Sequence, residues 1–196
     1  MKITFDLASS RLLQYAATAA LLGFSSIAAA SAPLALFGTP LKGATRSELR
    51  QTLSKAGFSA QRVDDGYFCD QYSVDGQLKG ATQLTVCYTE NTNRFASAEY
   101  TFPGFMDTQL VQRVIHVVES KYGRPSSVNG DIGLGGVTAR WNVAQGMALK
   151  VSRGWPDTTT YLDIIDRGMN RTMHAQMQAD KAAAIRQQAA KDANAF

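Results

Sequence analysis

Tyr67-Phe68-Cys69-Asp70-Gln71-Tyr72-Ser73-Val74 and Thr82-Gln83-Leu84-Thr85-Val86-Cys87-Tyr88-Thr89 are two alternating runs separated by turn-forming residues from Asp75-Gly76 to Lys79-Gly80. Successive side chains of a strand point to opposite faces. A register that sets Tyr72 against Leu84 and Phe68 against Tyr88 puts Phe68, Tyr72, Val74, Leu84, Val86 and Tyr88 on one face, with Asp70 as the polar exception. The same register sets Cys69 against Cys87 on the other face. Apolar pairing and cysteine pairing thus select one hairpin. A third strand, about Phe95–Phe102, extends the apolar face through Ala98, Tyr100 and Phe102.

Helices flank this meander. Before it, Thr45 and Glu48 form a capping box, Leu49, Leu53 and Ala56 share a face, and Gly57 is a stop signal. After it, Asp107 is an N-cap for the stripe Val111, Val114, Ile115, Val118 and Tyr122, which ends at Gly123 and Pro125. The second helix leads into another hairpin, Val137–Val143 and Met147–Arg153, with Trp141 facing Leu149 and Ala139 facing Val151. A last strand lies near Thr158–Ile165, where Tyr161, Leu162, Ile164 and Ile165 do not choose one face. Ser54-Lys55-Ala56-Gly57 returns as Ser120-Lys121-Tyr122-Gly123. The chain therefore reads as α+β: two helix-plus-three-stranded antiparallel units in tandem, 31–103 and 104–166, sharing a core with both helices on one face. From 167 to 196 it reads as a long polar C-terminal helix. Its stripe of Met169, Met173, Met177 and Ile185 packs at the start and has little to bury beyond Lys181.

Residues 1–30 read as a signal peptide. Lys2 and Arg11 form the positive region, Leu12 to Ile27 the apolar region, and Ala28-Ala29-Ala30 or Ala30-Ser31-Ala32 the cleavage pattern. Pro33 would directly follow the second site, so cleavage after Ala30 is expected. Gln14, Thr18 and Ser25-Ser26 interrupt the apolar run, which argues against a transmembrane anchor in the mature chain. Removing Lys2, Arg11 and Asp6 with this segment takes the net charge from +4 to +3. The bases are scattered among acids, so nucleic acid is not an expected partner. Two cysteines in an exported chain, not spaced as C-x-x-C, suggest one structural disulfide.

The run Ala44-Thr45-Arg46-Ser47-Glu48-Leu49-Arg50 through Gly57, with Asp70-Gln71-Tyr72, Leu84-Thr85-Val86-Cys87-Tyr88 and Ala98-Glu99-Tyr100, resembles the small periplasmic α/β module of the BamE/SmpA outer-membrane proteins. Lys121-Tyr122-Gly123-Arg124-Pro125 followed by Ala139-Arg140-Trp141 resembles that module again. Tandem modules of this plan are similar to the β-lactamase inhibitor protein. The resemblance spans about Leu36–Asp166 and implies a binding or assembly role without catalysis. The chain departs from BamE/SmpA in having no cysteine for a lipid anchor near its cleavage site.

No catalytic or cofactor motif stands out, and no cofactor or metal is expected. His116 lies on the polar side of its helix and His174 beside the Met stripe, neither with ligand spacing around it. Gly130-Asp131-Ile132-Gly133-Leu134-Gly135-Gly136 follows a helix and precedes a strand, the reverse of a dinucleotide loop, and reads as a link into a hairpin. Arg153-Gly154-Trp155-Pro156-Asp157 is the unusual stretch. A Trp on a turn either anchors a partner or folds back as a lid over the sheet edge, and the lid is the preferred reading. The candidate binding residues are Trp155, Arg153 and Asp157. The expected function is an exported, periplasmic binding or assembly module whose partner is another envelope or secreted protein. A small periplasmic hydrolase or carbohydrate-acting enzyme built on Arg153, Asp157 and Asp163 is the alternative, and a secreted inhibitor or effector accessory a third.

Overall fold

Thr45 opens the first helix, α1 (Arg46–Lys55), by the predicted reciprocal cap: its hydroxyl accepts from Glu48 N–H, and the Glu48 carboxylate accepts from Thr45 N–H at 2.8 Å. Asp107 caps α2 (Thr108–Tyr122) by accepting from the backbone N–H of Gln109 and Leu110. The computed structural model describes residues 33–193 except 106, 134, 135 and 157. The signal peptide read at 1–30 lies outside the described residues. Among them, no helix is long and apolar enough to cross a membrane.

Among the described residues, ten strands accompany the helices. β1 (Ala35–Leu36) and β2 (Thr39–Pro40) form a small hairpin before α1. β3 (Ser59–Arg62), β4 (Cys69–Ser73), β5 (Gln83–Tyr88) and β6 (Phe95–Phe102) follow α1. β7 (Ser127–Gly130), β8 (Val137–Asn142), β9 (Met147–Arg153) and β10 (Thr160–Asp166) follow α2. The larger sheet has eight strands in the order β3-β4-β5-β6-β10-β9-β8-β7. This corrects the expectation of two three-stranded units: β6 pairs with β10 from Ser97 to Phe102, so the strands form one continuous antiparallel sheet. Each half also carries a fourth, outer strand, β3 or β7. The C-terminal α3 (Arg167–Ala193) begins where Asp166 accepts from Gly168 and Met169 N–H.

The predicted registers hold. Cys69 pairs with Cys87, Tyr72 with Leu84, Ala139 with Val151 and Trp141 with Leu149. Leu162 and Ile164 of β10 face the core, while Tyr161, Asp163 and Ile165 lie half-buried on the other face. Leu49 and Leu53 of α1 and Val111, Val114, Ile115 and Val118 of α2 join the same buried cluster as Leu84, Val86, Tyr88, Phe102, Leu149 and Val151. Both helices therefore cover one face of the sheet. α3 touches β5, β6 and β10, but of its predicted stripe only Met173 is buried; Met177 and Ile185 are exposed.

Cys69 and Cys87 are joined in a disulfide with their Cα atoms 4.0 Å apart. The entropy model gives about 3 kcal/mol for a loop of this size. The β4–β5 ladder already restricts much of that loop, so replacing both cysteines by serine is expected to cost roughly 2 kcal/mol. Urea denaturation of the double variant beside the oxidised protein checks this; an unchanged midpoint would contradict it.

Candidate functional site

Arg153 ends β9 on the core face, where a cation needs partners, and it is buried. Its guanidinium donates to the Ile132 carbonyl at 3.0 Å and to the Asp107 carbonyl at 3.4 Å. One side chain thus ties the end of β9 to the β6–α2 connection and the β7–β8 loop. Arg153 is a clamp behind the loops rather than a group presented to a partner. Asp157 lies outside the described residues.

Trp155 is 68% exposed, so it does not fold back as the lid that the sequence favours. Its neighbours along the chain, Arg153, Thr158 and Thr160, are all buried. Phe105, which the sequence reading passed over, is 87% exposed on the β6–α2 connection. β6 and β9 both flank β10, with Phe102 and Arg153 each opposite Thr160. Neighbouring strands are ~4.8 Å apart, so the two chains leave the same end of the sheet about 10 Å from one another. Two bare aromatics therefore crown one end of the molecule, on segments that Arg153 anchors. The missed signal was Pro103-Gly104-Phe105, an apolar ring just after a strand-ending Pro-Gly.

The sheet face away from α1 and α2 carries a polar row. Register places Arg140, Lys150, Asp163, Glu99, Thr85 and Gln71 side by side across β8, β9, β10, β6, β5 and β4. Lys150 Nζ stands 3.0 Å from an Asp163 carboxylate oxygen. Glu99 faces Asp163 directly. Burial, then the Asp163 charge and a hydrogen bond with it, push Glu99 above the ordinary carboxylate range, against a smaller pull from Lys150. Like charges opposed across a ladder cost roughly 0.5–1 kcal/mol. Glu99→Gln is therefore expected to stabilise the fold by about that much at pH 7.5. The sign of the pH dependence follows from the raised value. The folded state binds this proton more tightly than the unfolded one, so the wild-type protein recovers the deficit as pH falls through the folded pKa. Urea melts at pH 7.5 and pH 4 should show the advantage of the variant shrinking; an advantage that grows in acid would contradict the assignment.

A polar cleft of about 190 Å³ beside α1 is lined by Arg46, Asp65, Tyr67, Tyr88, Glu90 and Asp180 among others. Its central charges are mutually satisfied, since Arg46 and Arg50 both donate to Asp70. His116 and His174 are both exposed. Among the described residues no group of three or more His, Cys, Asp or Glu side chains is placed to hold a metal ion.

No protein-family model matches the chain. No curated protein matches it either. Among solved structures it is similar to a DUF4309 family protein, YjgB, from Bacillus subtilis, with 15% identity over 69% of this chain and 87% of that one, and a TM-score of 0.43. So distant a likeness brings no function with it.

Proposed function

We propose that the protein is exported to the periplasm, processed near Ala30, and works there as a non-enzymatic binding or assembly module of the cell envelope. Its partner is another envelope or secreted protein. The observation that supports this is the pair of exposed aromatics, Phe105 and Trp155, at one end of the sheet. Large rings left in water on anchored segments are the side chains that dominate protein interfaces. Neither is needed for the core, so the fold tolerates their loss.

The test uses protein recovered from the periplasm, whose N-terminus is expected at Ser31 by mass spectrometry. Tagged at its C-terminus, it is expected to capture a discrete envelope protein. Each of Trp155→Ala and Phe105→Ala should weaken that capture about tenfold or more while leaving the melting temperature unchanged. Capture indifferent to both changes, or a retained Met1 on exported material, would overturn the reading.

The Glu99–Asp163 pair favours a second reading, a small hydrolase. Two facing carboxylates, one raised above the ordinary carboxylate range by burial and its neighbour, are what general acid–base chemistry uses. Against it stands the position of the pair, on the sheet face with Lys150 as immediate neighbour rather than in an enclosed pocket. Hydrolysis of a glycoside or ester panel that Asp163→Asn abolishes would establish this reading and displace the first.

A further inference from the structure

A cavity of about 460 Å³ opens between α2 and the β4–β5 turn, over β6 and β10. Its floor is the apolar core, where the buried Phe102, Leu110, Val114 and Leu162 line it, with Leu78 and Val117 at the mouth. Gly80 keeps the floor open on the turn side. Its positive φ of 86° suits glycine, and a Cβ there would already touch Leu110 and Phe102 at 3.8 and 3.9 Å. Two lining residues are charged, and both are cations, Lys79 and Arg113. Arg113 is already paired with Asp107 at 3.0 Å. Lys79 has no ion pair or hydrogen bond among the described residues.

We propose that this groove binds a single-chain anionic amphiphile, an alkyl carboxylate whose chain lies on Phe102, Leu110, Val114 and Leu162 and whose head meets Lys79. Size, polarity and charge each support that occupant. At about 30 Å³ for an atom of water size, the space takes about 15 non-hydrogen atoms, close to a twelve-carbon acid. An apolar-lined cavity gains little from water and takes hydrocarbon. Among the described lining residues, the Lys79 ammonium at the rim is the one charged group with no ion pair, and it selects an anion. The groove lies at the same end of the sheet as Phe105, since Phe102 and Leu110 line it, but laurate binding is measured with no protein partner present, so its outcome is read apart from the interface proposed above.

Isothermal titration of the mature protein with sodium laurate tests the assignment, with dodecylamine as the head-group control. Laurate is expected to bind one to one below its micelle concentration, and dodecylamine about tenfold or more weakly, since Lys79 repels it. Lys79→Glu should invert that preference. Val117→Trp, at an exposed position on the rim, should block laurate without moving the melting temperature. Equal binding of laurate and dodecylamine would remove the anionic assignment. Laurate binding untouched by Val117→Trp would place the site elsewhere. Absence of saturable laurate binding, with a dimer that Val117→Trp breaks, would give the groove to a second copy of the chain instead.

Discussion

Asp70→Ala is expected to lower the stability of the folded protein by about 3–5 kcal/mol. Asp70 lies on the core face of β4, where every neighbour in the alternation is apolar, and it is fully buried. Its carboxylate accepts from Arg46 at 2.6 and 3.2 Å and from Arg50 at 2.8 and 3.0 Å. Arg46 is buried too, held by the Asp64 carbonyl at 2.7 Å and lying 5.0 Å over the Tyr88 ring. Removing the carboxylate leaves that guanidinium with only the exposed Asp65, 3.8 Å from its Nε, as counter-charge. Arg50 suffers less, because exposed Asp65 pairs with it at 2.8 Å. Changing both sides, Asp70→Leu with Arg46→Met, should recover most of the loss, since a buried pair can be replaced by apolar packing at little cost. The pH dependence has a fixed sign. Burial alone would raise the Asp70 carboxyl, but hydrogen bonds from Arg50 and Arg46 outweigh it and hold the group below its ordinary value. Its contribution is therefore present above the unfolded value of about 3.9 and is lost as pH falls through the folded one. Urea melts of the single and double variants at neutral pH measure this; a loss under about 1 kcal/mol for Asp70→Ala would contradict it.

Trp141→Ala is expected to cost a similar ~3–5 kcal/mol. The indole is buried on β8 against Leu149 of β9, and its Nε1–H donates to the Gly123 carbonyl at 2.8 Å. Gly123 is the C-cap of α2, so the ring both fills core volume and holds a helix end to the sheet. Alanine leaves a cavity and removes the donor from that carbonyl. Trp141→Phe keeps most of the volume and loses the bond, and should cost about 1–2 kcal/mol. Equal losses for the two variants would mean that the hydrogen bond, not the packing, carries the stabilisation.

Where apolar and polar side chains alternate under a fixed turn, the register was readable: Cys69 to Cys87 and Trp141 to Leu149 needed only the pattern. The outer strands were not readable. Ser59-Ala60-Gln61-Arg62 and Ser127-Val128-Asn129-Gly130 are nearly all exposed, so no alternation marks them. Gly130 does carry a signal in hindsight, because any Cβ there would meet the Gly136 carbonyl oxygen at 2.0 Å. That contact reveals a closed hairpin where the glycines read as a loose link. The β6–β10 junction was invisible for another reason. It pairs segments distant in sequence, with no turn to set their register. Everything that depends on it was hidden too, including the Glu99–Asp163 contact, the floor of the apolar groove and the meeting of Phe105 with Trp155 at one end. Asp70 stood out as an exception in an apolar face, but its partners are helical residues whose direction only the packing of α1 supplies.

Site-specific photo-crosslinking in living cells tests the proposed interface most directly. A photoreactive phenylalanine analogue is placed, one position at a time, at Trp155, at Phe105, and at Val128, an exposed position on the outer strand β7. After irradiation, the exported protein is expected to carry the same discrete adduct from positions 155 and 105 and none from 128. An adduct from 128 alone, or no adduct at 155 and 105 while the protein is folded and exported, would contradict the claim that this end of the sheet binds its partner.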